Sequence, residues 1–244
     1  MGNARVIVVM PALNAARTLK EIVNGIPTEY VDDIILVDDH SSDETVELAH
    51  ALGLSVVWHP HNVGYGGNQK TCYMESLRRD ADVVVMLHPD GQYEPELIPE
   101  MVAPIVLGEA DVVLGSRFME PGMARRGGMP LYKYLANRFL TTIENFIMGT
   151  KLTELHTGYR AYSREVLLTV PFLRNSIDFS FDSEFLMQAR QVAPRNAGVD
   201  VVSQVPARVV RHDPETGQPP LVDMMGGATL VVGAFHAAVL GDRA

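Results

Sequence analysis

Apolar and polar positions along the first half of the chain fall into alternating blocks. Short apolar runs at 6–10, 33–37, 55–58, 82–87 and 111–114 each predict a strand. The run Val83, Val84, Val85, Met86, Leu87 is uninterrupted, the pattern of a strand buried on both faces of a parallel sheet. Between these runs the period lengthens. Leu19, Ile22, Val23 and Ile26 recur at helical spacing over 18–26, and residues 69–77 also read as a helix. Pro95 suits a helix start, with Leu97, Ile98, Met101, Val102 and Ile105 on one side. Ser41 with Glu44 three residues on predicts a capping box opening a helix that Gly53 ends. Strand and helix in alternation predict a parallel sheet with helices on both faces.

The second half is less regular. Residues 119–129 hold four glycines or prolines and the pair Arg125-Arg126, which reads as a loop. A helix is expected over 131–148, a further one from Phe181, and strands at 158–162 and 199–205. Residues 213–220 are rich in turn formers, and 228–240 read as a core or interfacial helix.

Composition narrows the field. With 47% hydrophobic and 20% charged residues over 244 positions, the chain has enough apolar surface for a full core. A net charge of −10 and the lack of a basic stripe argue against nucleic-acid binding. Cys72 is the single cysteine, which excludes an internal disulfide and fits a reducing cytoplasm. No run approaches the roughly 20 apolar residues of a membrane span.

In open parallel sheets, ligands sit beyond the carboxyl ends of the strands. Four polar clusters follow predicted strands here: Pro11-Ala12-Leu13-Asn14, then Asp38 to Asp43, then His88-Pro89-Asp90-Gly91-Gln92, then Gly115-Ser116-Arg117. If the third stays extended, His88, Asp90 and Gln92 share one face and offer three donors to a hard divalent cation. A polar turn is the simpler reading of Pro-Asp-Gly. One of the adjacent Asp38 and Asp39 can meet a base N–H or a ribose hydroxyl; helix capping is the alternative. Gly66, in the run 62–68, suits close backbone approach by a ligand, though the run is neither a dinucleotide fingerprint nor a P-loop. Arg117 supplies a cation suited to phosphate, or a surface ion pair. Asp182 and Glu184 could act as a general base, or simply favour a helix N-terminus. His212 could reach a metal from the C-terminal side.

In order, these blocks resemble the family 2 glycosyltransferases of the GT-A fold, over about residues 6–207. Val37-Asp38-Asp39, Asn62 to Gly66 and Gly158-Tyr159-Arg160-Ala161-Tyr162 carry the resemblance together with the clusters above. The polyprenyl-phosphate sugar transferases, similar to dolichyl-phosphate mannosyltransferase, look the nearest branch. The resemblance implies an α/β GT-A catalytic domain over residues 1–220 with a helical extension over 221–244. It implies a hexosyltransferase acting on a nucleotide diphosphate sugar, with uridine the favoured base. The nucleotide would lie against Pro11, Ala12, Leu13, Asn14, Asp38, Asp39, Gly66, His88 and Pro89. Mn²⁺ or Mg²⁺ would be held by Asp90 with His88 and Gln92. His156, Tyr159 and Arg160 would line the acceptor side, and Arg117 would meet a phosphate. His88 stands where the family's Asp-x-Asp has its first carboxylate, which tilts the choice toward Mn²⁺. The acceptor is expected to be polyprenyl phosphate or a soluble small molecule. A cytoplasmic protein is expected, with peripheral contact at the inner membrane face and self-association into a homodimer both open. The rival readings are a sugar-phosphate nucleotidyltransferase and a degenerate nucleotide-sugar-binding subunit.

Overall fold

The computed structural model describes residues 4–120, 130–192 and 200–207. Among these residues seven strands form one sheet: β1 (Val6–Ala12), β2 (Asp33–Asp38), β3 (Ser55–Trp58), β4 (Val83–Met86), β5 (Ala110–Ser116), β6 (Arg160–Ser163) and β7 (Asp200–Pro206), in the order β3-β2-β1-β4-β6-β5-β7. The α-helices are α1 (Ala16–Gly25), α2 (Thr45–Ala51), α3 (Tyr65–Arg78), α4 (Ile98–Val106), α5 (Leu131–Met148), α6 (Arg164–Thr169) and α7 (Phe181–Val192). The expected mostly parallel sheet is present. Only β6 runs against its neighbours, pairing antiparallel with both β4 and β5. It begins two residues later than expected.

Alternation along the central strands divides the core into two layers. Val8, Met10, Leu36 and Val85 face Leu19, Ile98 and Met101. Ile7, Val9, Ile35, Val84 and Met86 face the opposite layer, where Tyr73, Tyr162, Phe172, Phe181 and Phe185 meet. Tyr73 lies edge-on to Tyr162 and Phe172, at ring-centroid distances of 5.2 and 5.5 Å. Burying each such aromatic contributes about 1.5–3 kcal/mol, which fastens α3 and α7 to this face.

Two element starts differ from expectation. The capping box is not formed, because Ser41 Oγ accepts from Asn14 N at 2.8 Å instead of serving a helix. Helix α2 opens at Thr45, whose N–H donates to Asp43 Oδ1. Helix α3 starts four residues early, at Tyr65, and takes Gly66 and Gly67 into its first turn. Their poor helix propensity is overridden by packing, since a Cβ on Gly66 would lie 2.6 Å from the Ser176 carbonyl. No helix among the described residues is long and apolar enough to cross a membrane. The proposed domain boundary at 220/221 and the segments 213–220 and 228–240 lie outside the described residues.

Candidate active site

Strands β1, β2, β4 and β5 share one direction, so their carboxyl ends lie along a single edge. All four polar clusters therefore meet there. The segment entering antiparallel β6 joins them from the same edge. A separate cavity of about 550 Å³, lined by Arg5, Asp33, Arg79 and Asp80, opens at the amino ends of the strands. Arg79 is paired there with Asp33 at 2.7 Å and with Ser55, a structural arrangement away from the chemistry.

At the ends of β1 and β2, Asn14 takes a left-handed backbone, φ 53°. Its Oδ1 accepts from Ser42 N at 2.8 Å, tying the two loops together. Pro11 is half-buried, Ala12 is buried and Leu13 is exposed. Asp38 is fully buried; Oδ2 accepts from Ser41 N, while Oδ1 has no hydrogen-bond partner among the described residues. Asp39 is committed to the chain itself. Its Oδ1 meets His59 Nδ1 at 3.0 Å and Val63 N at 2.8 Å, and its Oδ2 accepts from Gly64 N. This carboxylate holds the approach to α3. The expected ligand space beside Gly66 is likewise filled by the chain, as Gly66 N donates to the Ile177 carbonyl and Ser176 and Phe181 close over it. Sequence reading missed Trp58, an exposed indole with the His40 ring 6.3 Å away at the end of β2. A short apolar strand ending on the single tryptophan was the available signal.

After β4 the chain does not stay extended. Pro89 and Asp90 form a turn closed by Gly91 at φ 75°, and Gln92 N donates to Asp90 Oδ1 at 3.0 Å. The common face expected for His88, Asp90 and Gln92 is thereby broken. The His88 ring lies parallel to Tyr65 at 5.7 Å and presses on Gly158, where a Cβ would come within 2.7 Å of it. Burial pushes the His88 pKa down, and its Nε2 has no hydrogen-bond partner among the described residues. Pro89 is buried, and its carbonyl accepts from Thr18 Oγ1. Asp90 is exposed at this edge, yet enough protein surrounds it that burial raises its carboxyl above the ordinary range; His88 and the Gln92 N–H oppose that rise. No group of three His, Cys, Asp or Glu side chains able to hold a metal is assembled among the described residues, and His212 lies outside them.

Arg117 is gripped by Glu154. The carboxylate accepts from Arg117 Nε at 2.9 Å, from Nη2, and from the Arg117 backbone N–H at 2.8 Å. Burial disfavours the charged guanidinium, but Glu154, with Tyr93 and Asp90, outweighs it and the Arg117 pKa moves up. Two acceptor-side expectations are corrected by burial. Arg160 is 1% exposed and donates to the carbonyls of Thr157, Leu155 and Asp182, so it organises the loop before β6. Tyr159 is fully buried, with its hydroxyl on the Glu94 carbonyl. His156 is half-buried, with Nε2 3.0 Å from Glu144 Oε2. Asp182 accepts from the Tyr65 hydroxyl at 2.8 Å and from Gln69, and Glu184 accepts from both N and Oγ of Ser176 at 2.7 Å. Neither carboxylate stands ready as a base. Sequence reading also missed Glu154 and Glu144, two acids in helical or loop context that only tertiary pairing distinguishes.

The family model described as glycosyl transferase family 2 matches residues 7–170. The chain belongs to that family. It is a glycosyltransferase by membership, and its fold is of the GT-A type. It is 27% identical over 208 residues to the UDP-N-acetylglucosamine–dolichyl-phosphate N-acetylglucosaminyltransferase of Methanococcus voltae, covering 78% of this chain and 82% of that one. It is 30% identical over 170 residues to the polyprenol monophosphomannose synthase of Mycolicibacterium smegmatis, covering 67% and 63%. Among solved structures, glucosyl-3-phosphoglycerate synthase from Mycobacterium tuberculosis with Mn²⁺, UDP and glucosyl-3-phosphoglycerate superposes with a TM-score of 0.68 at 22% identity, over 96% of this chain and 79% of that one. That likeness bears on the fold.

Proposed function

We propose that this glycosyltransferase moves a sugar from a UDP-sugar, with a divalent cation at the diphosphate, to a phosphate-bearing acceptor. The observation that carries the reading is the convergence of four strand ends on one edge, with the exposed Asp90 carboxylate on it and the Arg117–Glu154 pair at the end of β5. The relatives' names support the acceptor class, since two act on or make a polyprenyl or dolichyl phosphate and the solved neighbour was captured with a glycosylated phosphoglycerate.

The residues fit a divalent cation of the kind that accompanies nucleotides. Mg²⁺ and Mn²⁺ at such sites take one or two protein carboxylates and complete their shell with phosphate oxygens and water, so a three-residue cage is not required. Asp90 Oδ1 takes the Gln92 N–H, which leaves Oδ2 for the ion. Asp90 is therefore the ligand we assign, with His212 a second candidate outside the described residues. When bound, the ion would neutralise charge on the departing diphosphate. The chain's own parts do the rest. Trp58 and Leu13 offer apolar surface to the nucleoside, Asp38 Oδ1 is an acceptor awaiting an N–H, and Glu154 fixes the Arg117 fork at the end of β5. The exposed apolar residues Leu131, Leu135, Phe139 and Phe146 of α5 suit peripheral contact with a lipid surface at the cytoplasmic face.

The test is release of nucleotide diphosphate from UDP-, GDP- and dTDP-sugars with Mn²⁺, with Asp90→Ala as control. Metal-dependent release from a UDP-sugar that the substitution removes is expected. Binding without release, with every acceptor supplied, would instead favour a degenerate nucleotide-sugar-binding subunit.

A further inference from the structure

With Asp182 and Glu184 engaged inside the fold, an imidazole backed by a buried carboxylate is the base candidate at this edge. His156 sits on the loop between α5 and β6, and its side chain is 21% exposed, whereas the Glu144 carboxylate facing it is 4% exposed. Glu144 is held in turn by Ser183 of α7, whose Oγ donates to Glu144 Oε1 at 3.3 Å. The 3.0 Å approach of His156 Nε2 to Glu144 Oε2 is close but off-line for a hydrogen bond. Catalytic pairs are often misaligned in this way before substrate binds. The His156 carbonyl accepts from Arg117 Nη2 at 3.1 Å, which locks the loop to the end of β5, and two residues on Gly158 lies against His88. The imidazole thus belongs to the edge where the donor would bind.

We propose that His156 is the general base of this site, that Glu144 is its positioning residue, and that the attacking group of the acceptor is therefore a hydroxyl. The inference rests on the sugar-transfer reading and, among its phosphate-bearing acceptors, selects those that attack through a hydroxyl over a polyprenyl monophosphate. A carboxylate facing Nε2 favours the tautomer protonated there and leaves the lone pair on Nδ1. The acceptor hydroxyl gives its proton to Nδ1 as its oxygen bonds to the anomeric carbon. The bond from that carbon to the diphosphate oxygen breaks, its electron pair leaves with the nucleotide diphosphate, and the imidazolium later returns the proton to water. A phosphate oxygen would attack with no proton to lose, since a phosphate monoester is largely dianionic near neutral pH. An imidazole oriented by a buried acid would then have no task.

The experiment uses the full chain with Mn²⁺ and UDP-sugar. Water serves as the minimal hydroxyl acceptor, 3-phosphoglycerate as a phosphate-bearing one, and a short-chain polyprenyl phosphate as the comparison. For hydroxyl acceptors, His156→Ala should lower kcat by about 10²–10⁴-fold with the donor KM unchanged. Added imidazole should restore part of that loss, which a merely structural role would not allow. Glu144→Gln should lower kcat by about 10–100-fold, as loss of an orienting partner does, while melting temperature and UDP binding of the His156 variant stay at the wild-type level. An undiminished kcat in His156→Ala, a loss that imidazole does not rescue, or turnover with polyprenyl phosphate alone would each overturn the inference and leave the transfer reading intact. Failure of the wild-type chain to turn over donor with any acceptor would overturn the transfer reading, and this inference with it.

Discussion

Glu154 is fully buried and its carboxylate accepts four hydrogen bonds, three from Arg117 and one from Asn137 Nδ2. A buried ion pair gains little over an apolar pair of the same shape, but removing one partner strands the other charge in a medium that cannot solvate it. Glu154→Gln should therefore destabilise the protein by about 3–5 kcal/mol, measured as the midpoint of urea unfolding. The Arg117→Met, Glu154→Leu double variant should recover much of that loss while losing activity. Equal destabilisation in single and double variants would mean that the pair contributes packing rather than charge compensation. The sequence made Arg117 conspicuous, through Gly115-Ser116-Arg117 after an apolar strand, but gave no sign of Glu154. Pairing across 37 residues is a tertiary fact, and the same limit hid Glu144 from His156.

At the scale of elements, the loops after β1 and β2 are joined by Asp43, which accepts from Ala16 N, Thr45 N and Thr45 Oγ1. Partial burial works against the charged form, but the bonds from Thr45 and Ala16 prevail and hold the Asp43 pKa below its ordinary value. A carboxyl whose folded pKa is depressed contributes stability that is present above its unfolded pKa, about 3.9, and is lost as pH falls through the folded one. Asp43→Asn should cost about 0.5–1 kcal/mol at pH 7, a modest figure because the side chain is exposed and screened. That gap should narrow below about pH 4 in melts of the two proteins; a gap independent of pH would assign the effect to shape. The start of α3 gives a sharper test. Gly66→Ala sets a Cβ 2.6 Å from the Ser176 carbonyl and 2.8 Å from Phe181 Cβ, both poorly able to yield. A loss of about 1–3 kcal/mol is expected by thermal melting, and an unchanged melting temperature would show that the 176–178 loop moves freely. The strands were legible because buried parallel strands are continuous apolar runs. The starts of α2 and α3 were not, because Ser41 and Gly66 answer to partners 27 or more residues away.

For the whole molecule, one property of the sheet decides where chemistry can occur. β1, β2, β4 and β5 end on the same edge, and antiparallel β6 starts from it, so residues far apart in sequence meet with no need for a large continuous motif. That edge could be inferred from the sequence, since each polar cluster follows an apolar run. The turn at Gly91 and the reversal of β6 could not, because a positive φ and a strand direction leave no periodic trace. The arrangement predicts linkage between donor and stability. A ligand that binds only the folded chain stabilises it by RT ln(1 + [L]/Kd), about 2.7 kcal/mol at a hundred times Kd. For a chain of this size that is a rise in melting temperature of roughly 5–11 °C. UDP with Mn²⁺ should produce such a rise, UDP with a chelator a much smaller one, and Asp90→Asn should remove the metal-dependent part while keeping the remainder. An Asp90→Asn protein whose metal-dependent rise is intact would take Asp90 out of the metal site and make His212 the next residue to replace.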